Sequence, residues 1–195
     1  MAETADLYRA EVIASGGTLS DWQPVVEVGS GIPAALNQAR GFHTAHVVPS
    51  GGGHVVVVTG GAGGAATLDS VEYARLVDTD GDGVADGVEP FTVDAIAMST
   101  GVSEHDGGVF GSSIYLTGGS EQGGAANGET QRLSVSSGCN AGTGSCLSSA
   151  GYFTEFGSVA GARFAHGSVI HLNNLYIFGG YNGSVLLDDA WFIDP

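Results

Sequence analysis

The chain has 195 residues, 43% hydrophobic and 13% charged, which is enough apolar material for one folded core and too much for a disordered chain. Its formal net charge of −16 argues against binding to nucleic acid or anionic lipid, since both need a basic surface. The 34 glycines favour short strands joined by tight turns over helices. From the sequence we expect neither a membrane-spanning segment nor a signal peptide.

The first predicted unit covers 39–96 and begins with "ARGFHTAHVV", in which Arg40 precedes His43 by three residues. The apolar run "HVVVVTGG" follows and ends in the glycine pair Gly60–Gly61. Glycine allows a sharp turn with positive φ where a Cβ would clash. The segments "LDSVEYARLV" and "GVEPFTVDA" predict a third strand and an outer strand, so we expect four strands in this unit.

An acidic loop, "DTDGDGVADGVE", lies between the third strand and the outer strand of this unit. It fills every ligand position of the twelve-residue calcium-loop template, and Gly83 stands where that template needs a sharp turn. Strands flank the loop instead of helices, so we predict a structural Ca²⁺ site that orders a long loop. The alternative is a solvated acidic turn. The predicted ligands are Asp78, Asp80, Asp82, Val84 through its carbonyl, Asp86 and Glu89.

The second predicted unit covers 98–159 and keeps the histidine, His105, but has Val102 in place of the arginine. Its apolar run ends in Gly118–Gly119, "ETQRLSVSS" predicts the third strand, and "GYFTEFGSV" predicts the outer strand. The only two cysteines of the chain, Cys139 and Cys146, lie in the short segment "CNAGTGSC". This spacing fits a local disulfide, which would indicate an oxidising compartment, and two free thiols are the alternative.

The third predicted unit covers 161–195 and repeats the same pattern with Arg163, His166 and the pair Gly179–Gly180, followed by "LDDAWFIDP". The three glycine pairs recur about every 60 residues, which is the length of a supersecondary unit of roughly four strands. A sheet of this size cannot bury both faces alone, so neighbouring units must stack.

These motifs resemble those of Kelch-type β-propellers, such as galactose-oxidase-like and bacterial Kelch-repeat proteins. The segment "DLYRAEVIASGGTLSDWQPVVEV" is similar to the third and fourth strands of such a blade, with Trp22 at the aromatic position. The resemblance implies one all-β domain over 1–195, with blades of four antiparallel strands. It comprises strands of a partial blade in 1–30, blades in 39–96 and 98–159, and a partial blade in 161–195, which makes a partial propeller of about three blades.

The repeated polar residues have structural interpretations. Because His43, His105 and His166 share one repeat position, we expect buried imidazoles bonded to the backbone of a neighbouring blade. For Arg40 and Arg163 we expect ion pairs with acidic residues of the adjoining blade; a ring of arginines facing an anionic ligand in the central channel is the alternative.

The resulting functional prediction is a non-enzymatic, calcium-stabilised β-propeller module, extracellular or on the cell surface, that binds protein or glycan or assembles with copies of itself. It is predicted to be a homo-oligomer or part of a longer chain, without nucleic-acid binding or membrane insertion. One alternative is part of a carbohydrate-active or oxidising propeller enzyme. A second alternative is a repeating structural subunit of a filament or surface assembly.

Overall fold

A computed structural model describes residues 7–10, 12–13, 18–139, 145–153 and 161–193. All regular secondary structure in these ranges is β, and every pairing between strands is antiparallel, which confirms the all-β prediction. The described ranges contain no helix, and accordingly no helix long and apolar enough to cross a membrane.

The N-terminal segment forms two nested antiparallel pairs, β1 with β4 and β2 with β3. The paired stretches are only two residues long. The strands are β1 (Tyr8–Arg9), β2 (Val12–Ile13), β3 (Thr18–Leu19) and β4 (Gln23–Pro24).

The first blade is the sheet within 44–93, with the strand order β10-β9-β6-β5 and with β11 also paired to β9. Two backbone hydrogen bonds attach the N-terminal segment to its outer edge, from the Val88 amide to the Val26 carbonyl and from the Val28 amide to the Val88 carbonyl. The strands of this sheet are β5 (Thr44–Ser50), β6 (Gly53–Thr59), β9 (Val71–Val77), β10 (Gly87–Val88) and β11 (Thr92–Val93). Between β6 and β9, β7 (Ala62–Gly63) and β8 (Ala66–Thr67) form a separate pair.

The second blade is the four-stranded sheet within 106–153, in the order β13-β14-β16-β17. Its outer strand begins at Leu147, four residues before the predicted segment at 151–159, and 154–159 lies outside the described residues. The strands of this sheet are β13 (Asp106–Phe110), β14 (Ser113–Thr117), β16 (Thr130–Val135) and β17 (Leu147–Phe153). Beside it, β12 (Val102–Ser103) and β15 (Ser120–Glu121) form a separate pair.

The third blade has three strands, in the order β18-β19-β20. They are β18 (Gly167–His171), β19 (Asn174–Tyr181) and β20 (Leu186–Ile193).

The apolar core lies between the blades. Val57 and Tyr73 of the first blade pack in one cluster with Ile114 and Leu116 of the second. On the other side of the second blade, Tyr115 packs with Leu175 and Ile177 of the third. Successive residues of a strand point to opposite faces, so β14 contributes to both clusters and the three sheets stack face to face as propeller-like blades.

Candidate functional site

The acidic loop between β9 and β10 brings three carboxylates together at the surface. One oxygen from each of Asp78, Asp80 and Asp86 lies within 4.8 Å of the others. Carboxylate oxygens are the ligands that hard divalent cations prefer, so this group could hold part of the coordination shell of an ion such as Ca²⁺.

Hydrogen bonds within the loop hold these carboxylates in place. The two oxygens of Asp78 accept from the amides of Gly81 and Gly83, at 2.7 and 2.9 Å. The Thr79 hydroxyl and amide both donate to Asp86, and these two bonds lower the pKa of Asp86. A carboxyl with a lowered pKa stays ionised over a wider pH range, which is the form that binds a cation.

The other predicted ligands do not belong to this group. Asp82 caps the Val84 amide at 2.7 Å, and both residues are exposed. Glu89 follows β10, and its amide donates to the Arg75 carbonyl at 2.9 Å. The structure therefore brings together three of the five predicted side-chain ligands.

The repeated histidines lie at the blade junctions. His105 Nε2 is 3.0 Å from the Thr59 hydroxyl and 3.1 Å from the Thr44 hydroxyl, both in the first blade. His166 Nε2 is 2.8 Å from the Thr117 hydroxyl of the second blade. Both imidazoles are buried, as predicted, but their partners are threonine hydroxyls and not the predicted backbone groups. Burial lowers the pKa of both rings, that of His105 to about 4.

The third member of this set, His43, differs because it is exposed. Partial burial is still the main cause that lowers its pKa, followed by the charge of Arg40. The expectation of a buried imidazole is therefore wrong for the first blade.

The residue before each histidine has positive φ, namely 55° at Phe42, 56° at Glu104 and 53° at Ala165. These residues form a backbone ladder across the blades, with the Glu104 amide donating to the Phe42 carbonyl at 2.8 Å and the Ala165 amide donating to the Glu104 carbonyl at 2.9 Å. Because non-glycine residues rarely adopt this conformation, its threefold recurrence indicates that the turn belongs to the repeat.

The glycine pairs contact the following blade at the same level. A Cβ on Gly60 would lie 2.5 Å from the Val102 carbonyl oxygen, and one on Gly118 would lie 2.3 Å from the Arg163 carbonyl oxygen. These distances are too short for any side chain, so the junctions require glycine at both positions.

Each of the two repeated arginines forms an ion pair. Arg40 Nη2 lies 2.5 Å from Glu72 Oε1, with both side chains fully buried. Arg163 forms a bidentate ion pair with Asp189, in which Nη1 donates to Oδ1 at 2.7 Å and Nη2 donates to Oδ2 at 3.1 Å. Hydrogen bonds from Arg163, and then from the Trp191 indole, lower the pKa of Asp189 to about 2. The predicted ion pairs are confirmed, but each acid lies in β9 or β20 of the same blade and not in the adjoining one.

The two arginines also share a backbone contact, which shows that they are structurally equivalent. Arg40 Nη1 donates to the Gly60 carbonyl at 2.8 Å, and Arg163 Nη1 donates to the Gly179 carbonyl at 2.9 Å. In the second blade the pair is absent on both sides, because Val102 replaces the arginine and Gln131 occupies the register position of Glu72.

A disulfide joins Cys139 to Cys146, as the spacing suggested, and both cysteines are buried in the cluster between the first and second blades. The sequence reasoning missed the partner of this loop, Asp94. This buried carboxylate follows β11 and accepts from the amides of Cys146 and Leu147 at 2.5 and 2.8 Å. It ties the disulfide loop of one blade to the outer strand of the other.

The C-terminal part of the chain is similar to a known protein family. Residues 162–195 match the Kelch motif. Together with the stacked antiparallel blades, this match supports a Kelch-type β-propeller and a protein-binding module. No curated protein has significant similarity to the chain.

Proposed function

We propose that this chain is a non-enzymatic, extracellular or cell-surface β-propeller module that binds protein and whose acidic loop takes up calcium. The observation that carries the proposal is the repeated blade architecture with its Kelch motif, a fold commonly used as a rigid binding scaffold. The fold alone does not specify a partner, so the binding role rests on this analogy.

A scaffold role is supported by the way the repeated polar residues are used. The side chains that could serve in catalysis, His105, His166 and both arginines, are hydrogen-bonded within or between blades. These hydrogen bonds give the four side chains a role in holding the blades together, which favours a structural function for them.

An oxidising location is supported by the disulfide, since such bonds persist mainly in secreted and surface proteins. A net charge of −16 is also compatible with calcium-rich surroundings, where divalent cations reduce repulsion between carboxylates. Calcium at Asp78, Asp80 and Asp86 would order a loop of the first blade, with the further predicted ligands closing around the ion.

Isothermal titration calorimetry with CaCl₂ tests the calcium part of the proposal. We expect one site with a dissociation constant of roughly 10⁻⁴ to 10⁻³ M, the range of extracellular modules. Asp80→Asn should abolish the binding heat. Asp69→Asn is the matched control, because Asp69 is an exposed aspartate outside the loop. Absence of heat in the intact chain at millimolar calcium would overturn this part.

Chemical cross-linking with mass spectrometry tests the part of the proposal that concerns protein binding. The immobilised chain is exposed to secreted proteins of the source organism and then cross-linked. Reproducible cross-links from one face to one protein would support it. Binding confined to a glycan array, with no protein cross-linked above background, would contradict it.

A further inference from the structure

The chain contains two Asn-Gly dipeptides, Asn127–Gly128 and Asn182–Gly183. An asparagine followed by glycine can lose its side-chain amide without an enzyme, because glycine has no side chain to shield its own backbone nitrogen. We propose that the fold protects Asn127 and leaves Asn182 as a site of spontaneous modification, at which water converts the side-chain amide to a carboxylate. This inference goes beyond the proposed binding function and does not depend on it.

Asn182 lies at the tip of the hairpin that joins β19 to β20, and Asn182, Gly183 and Ser184 are all exposed. Counted from the glycine pairs, Gly183 corresponds to Gly64 in the first blade and to Gln122 in the second. Both of these residues are exposed although another blade packs beside theirs. The tip of this hairpin is therefore open to water whether or not a further blade packs beside the third.

Two backbone amides hold the side chain of Asn182. Its Oδ1 accepts from the Ser184 amide at 3.0 Å and from the Val185 amide at 2.9 Å. Both partners are donors, so the oxygen must face them and Nδ2 faces away. This Asx-turn arrangement brings the side-chain carbonyl carbon alongside the Gly183 peptide. Within the described residues, neither Asn182 Nδ2 nor the Gly183 amide takes part in a hydrogen bond.

This geometry favours attack by the Gly183 nitrogen on Cγ of Asn182. Hydroxide removes the proton of the Gly183 amide, the nitrogen bonds to Cγ, and the negative charge moves to Oδ1. The amides of Ser184 and Val185 donate to this oxygen, as the donors of an oxyanion hole do. The bond between Cγ and Nδ2 then breaks, and ammonia leaves with a proton from water, which regenerates hydroxide. A cyclic imide remains.

Water then hydrolyses the imide at either of its carbonyl carbons. One product is aspartate, and the other is isoaspartate, whose backbone runs through the former side chain and is longer by a methylene group. Both products add a negative charge to a chain whose formal net charge is already −16. Isoaspartate also lengthens the short connection between Tyr181 and Leu186, which are paired across the hairpin. Because ammonia is lost to the solvent, the modified fraction increases with the age of the molecule.

Asn127 also precedes a glycine, but its environment opposes the reaction. Its Oδ1 accepts from the Glu129 amide at 2.7 Å, while its Nδ2 donates to Glu121 Oε1 at 2.8 Å. The residue is 4% exposed, and its own amide donates to the Gly119 carbonyl at 2.7 Å. The leaving group is thus held by a carboxylate and shielded from water, so the same dipeptide should react slowly here.

Peptide mapping of the aged chain tests the proposal. After incubation at neutral pH, trypsin places Asn127 in the peptide 76–132 and Asn182 in the peptide 164–195, and mass spectrometry with fragmentation locates each new carboxyl group. We expect Asn182 to react at least about tenfold faster than Asn127 in the folded chain, because its Oδ1 has one more donor and its amide is open to water. In guanidinium chloride the two rates should converge. No product at Asn182, equal rates in the folded chain, or an unchanged ratio in guanidinium chloride would overturn the proposal.

Two alanine variants test the role of Gly183. Gly183→Ala places a Cβ beside the attacking nitrogen and should slow the reaction at Asn182 severalfold. Gly64→Ala is the matched control and should leave that rate unchanged. Both glycines have positive φ, 90° and 66°, and for both no atom beyond the neighbouring residues lies within 4 Å of the place a Cβ would take. A rate at Asn182 that is the same in Gly183→Ala as in the wild type would refute the mechanism.

Discussion

The buried ion pair between Arg40 and Glu72 allows a sharp test, because the second blade contains a neutral version of the same site. Glu72 accepts from Arg40, from the Asn37 amide and side chain, and from the Gln38 amide. Glu72→Gln keeps the shape but places an amide group among these donors and leaves the guanidinium buried without its carboxylate. Removing one partner of a buried ion pair typically costs about 3–5 kcal/mol, and we expect a loss of unfolding free energy in that range.

The double variant Arg40→Val with Glu72→Gln should recover part of this loss. It reproduces the combination of Val102 and Gln131 at the equivalent positions of the second blade, where Gln131 accepts from the Ser99 amide at 3.1 Å as Glu72 accepts from the Asn37 amide. We expect a coupling free energy of about 1–3 kcal/mol between the two substitutions.

Urea denaturation of the wild type, both single variants and the double variant measures these free energies. Two additive losses below about 1 kcal/mol each would refute the reasoning, because such values are those of exposed ion pairs that contribute little.

Three further predictions concern the junctions. Gly118→Ala should lower the free energy of unfolding by about 1–3 kcal/mol more than Gly111→Ala, as measured by urea denaturation. Both glycines have φ near 60°, but only Gly118 has atoms of the next blade within 4 Å of a Cβ. Stability should fall as the pH drops from 6.5 to about 4, since the folded chain resists protonation of His105. That pKa difference corresponds to about 3 kcal/mol, and His105→Gln should flatten the pH profile of the melting temperature. Reducing the disulfide between Cys139 and Cys146 should cost about 2–3 kcal/mol, and an unchanged melting temperature in dithiothreitol would contradict this.

The stacking of blades could be predicted from local patterns. The glycine pairs, the third strands and the repeated histidine position all recur at a fixed distance, so a single chain contains enough copies to identify them. The hydroxyl partners of His105 and His166, Thr59 and Thr117, directly precede glycine pairs, whereas Phe178 stands at this position in the third blade. This pattern is visible in the sequence, but it can be interpreted only when one knows which faces of neighbouring blades contact each other.

Long-range partners could not be predicted because they depend on strand register. The pairing of Arg40 with Glu72 of its own blade follows from the position of β9 beside β6, which no sequence spacing specifies. The outer strand of the second blade was placed too late because "LSSAG" has low β-propensity, and its pairing with β16 comes from tertiary context. For the acidic loop, the calcium-loop template identified the candidate residues. The backbone conformation of the loop decides which of their carboxylate oxygens lie close together, and the template does not specify it.

The position of the acidic loop separates two parts of the molecule that could change independently. The loop follows the third strand of the first blade and leads to its outer strand, while the histidines and the backbone ladder belong to the inner strands and the turns before them. A longer, shorter or differently charged loop at this rim would leave the contacts between blades unaltered. Descendants of such a chain could therefore gain or lose sensitivity to ions through a single insertion, without redesigning the scaffold that carries it.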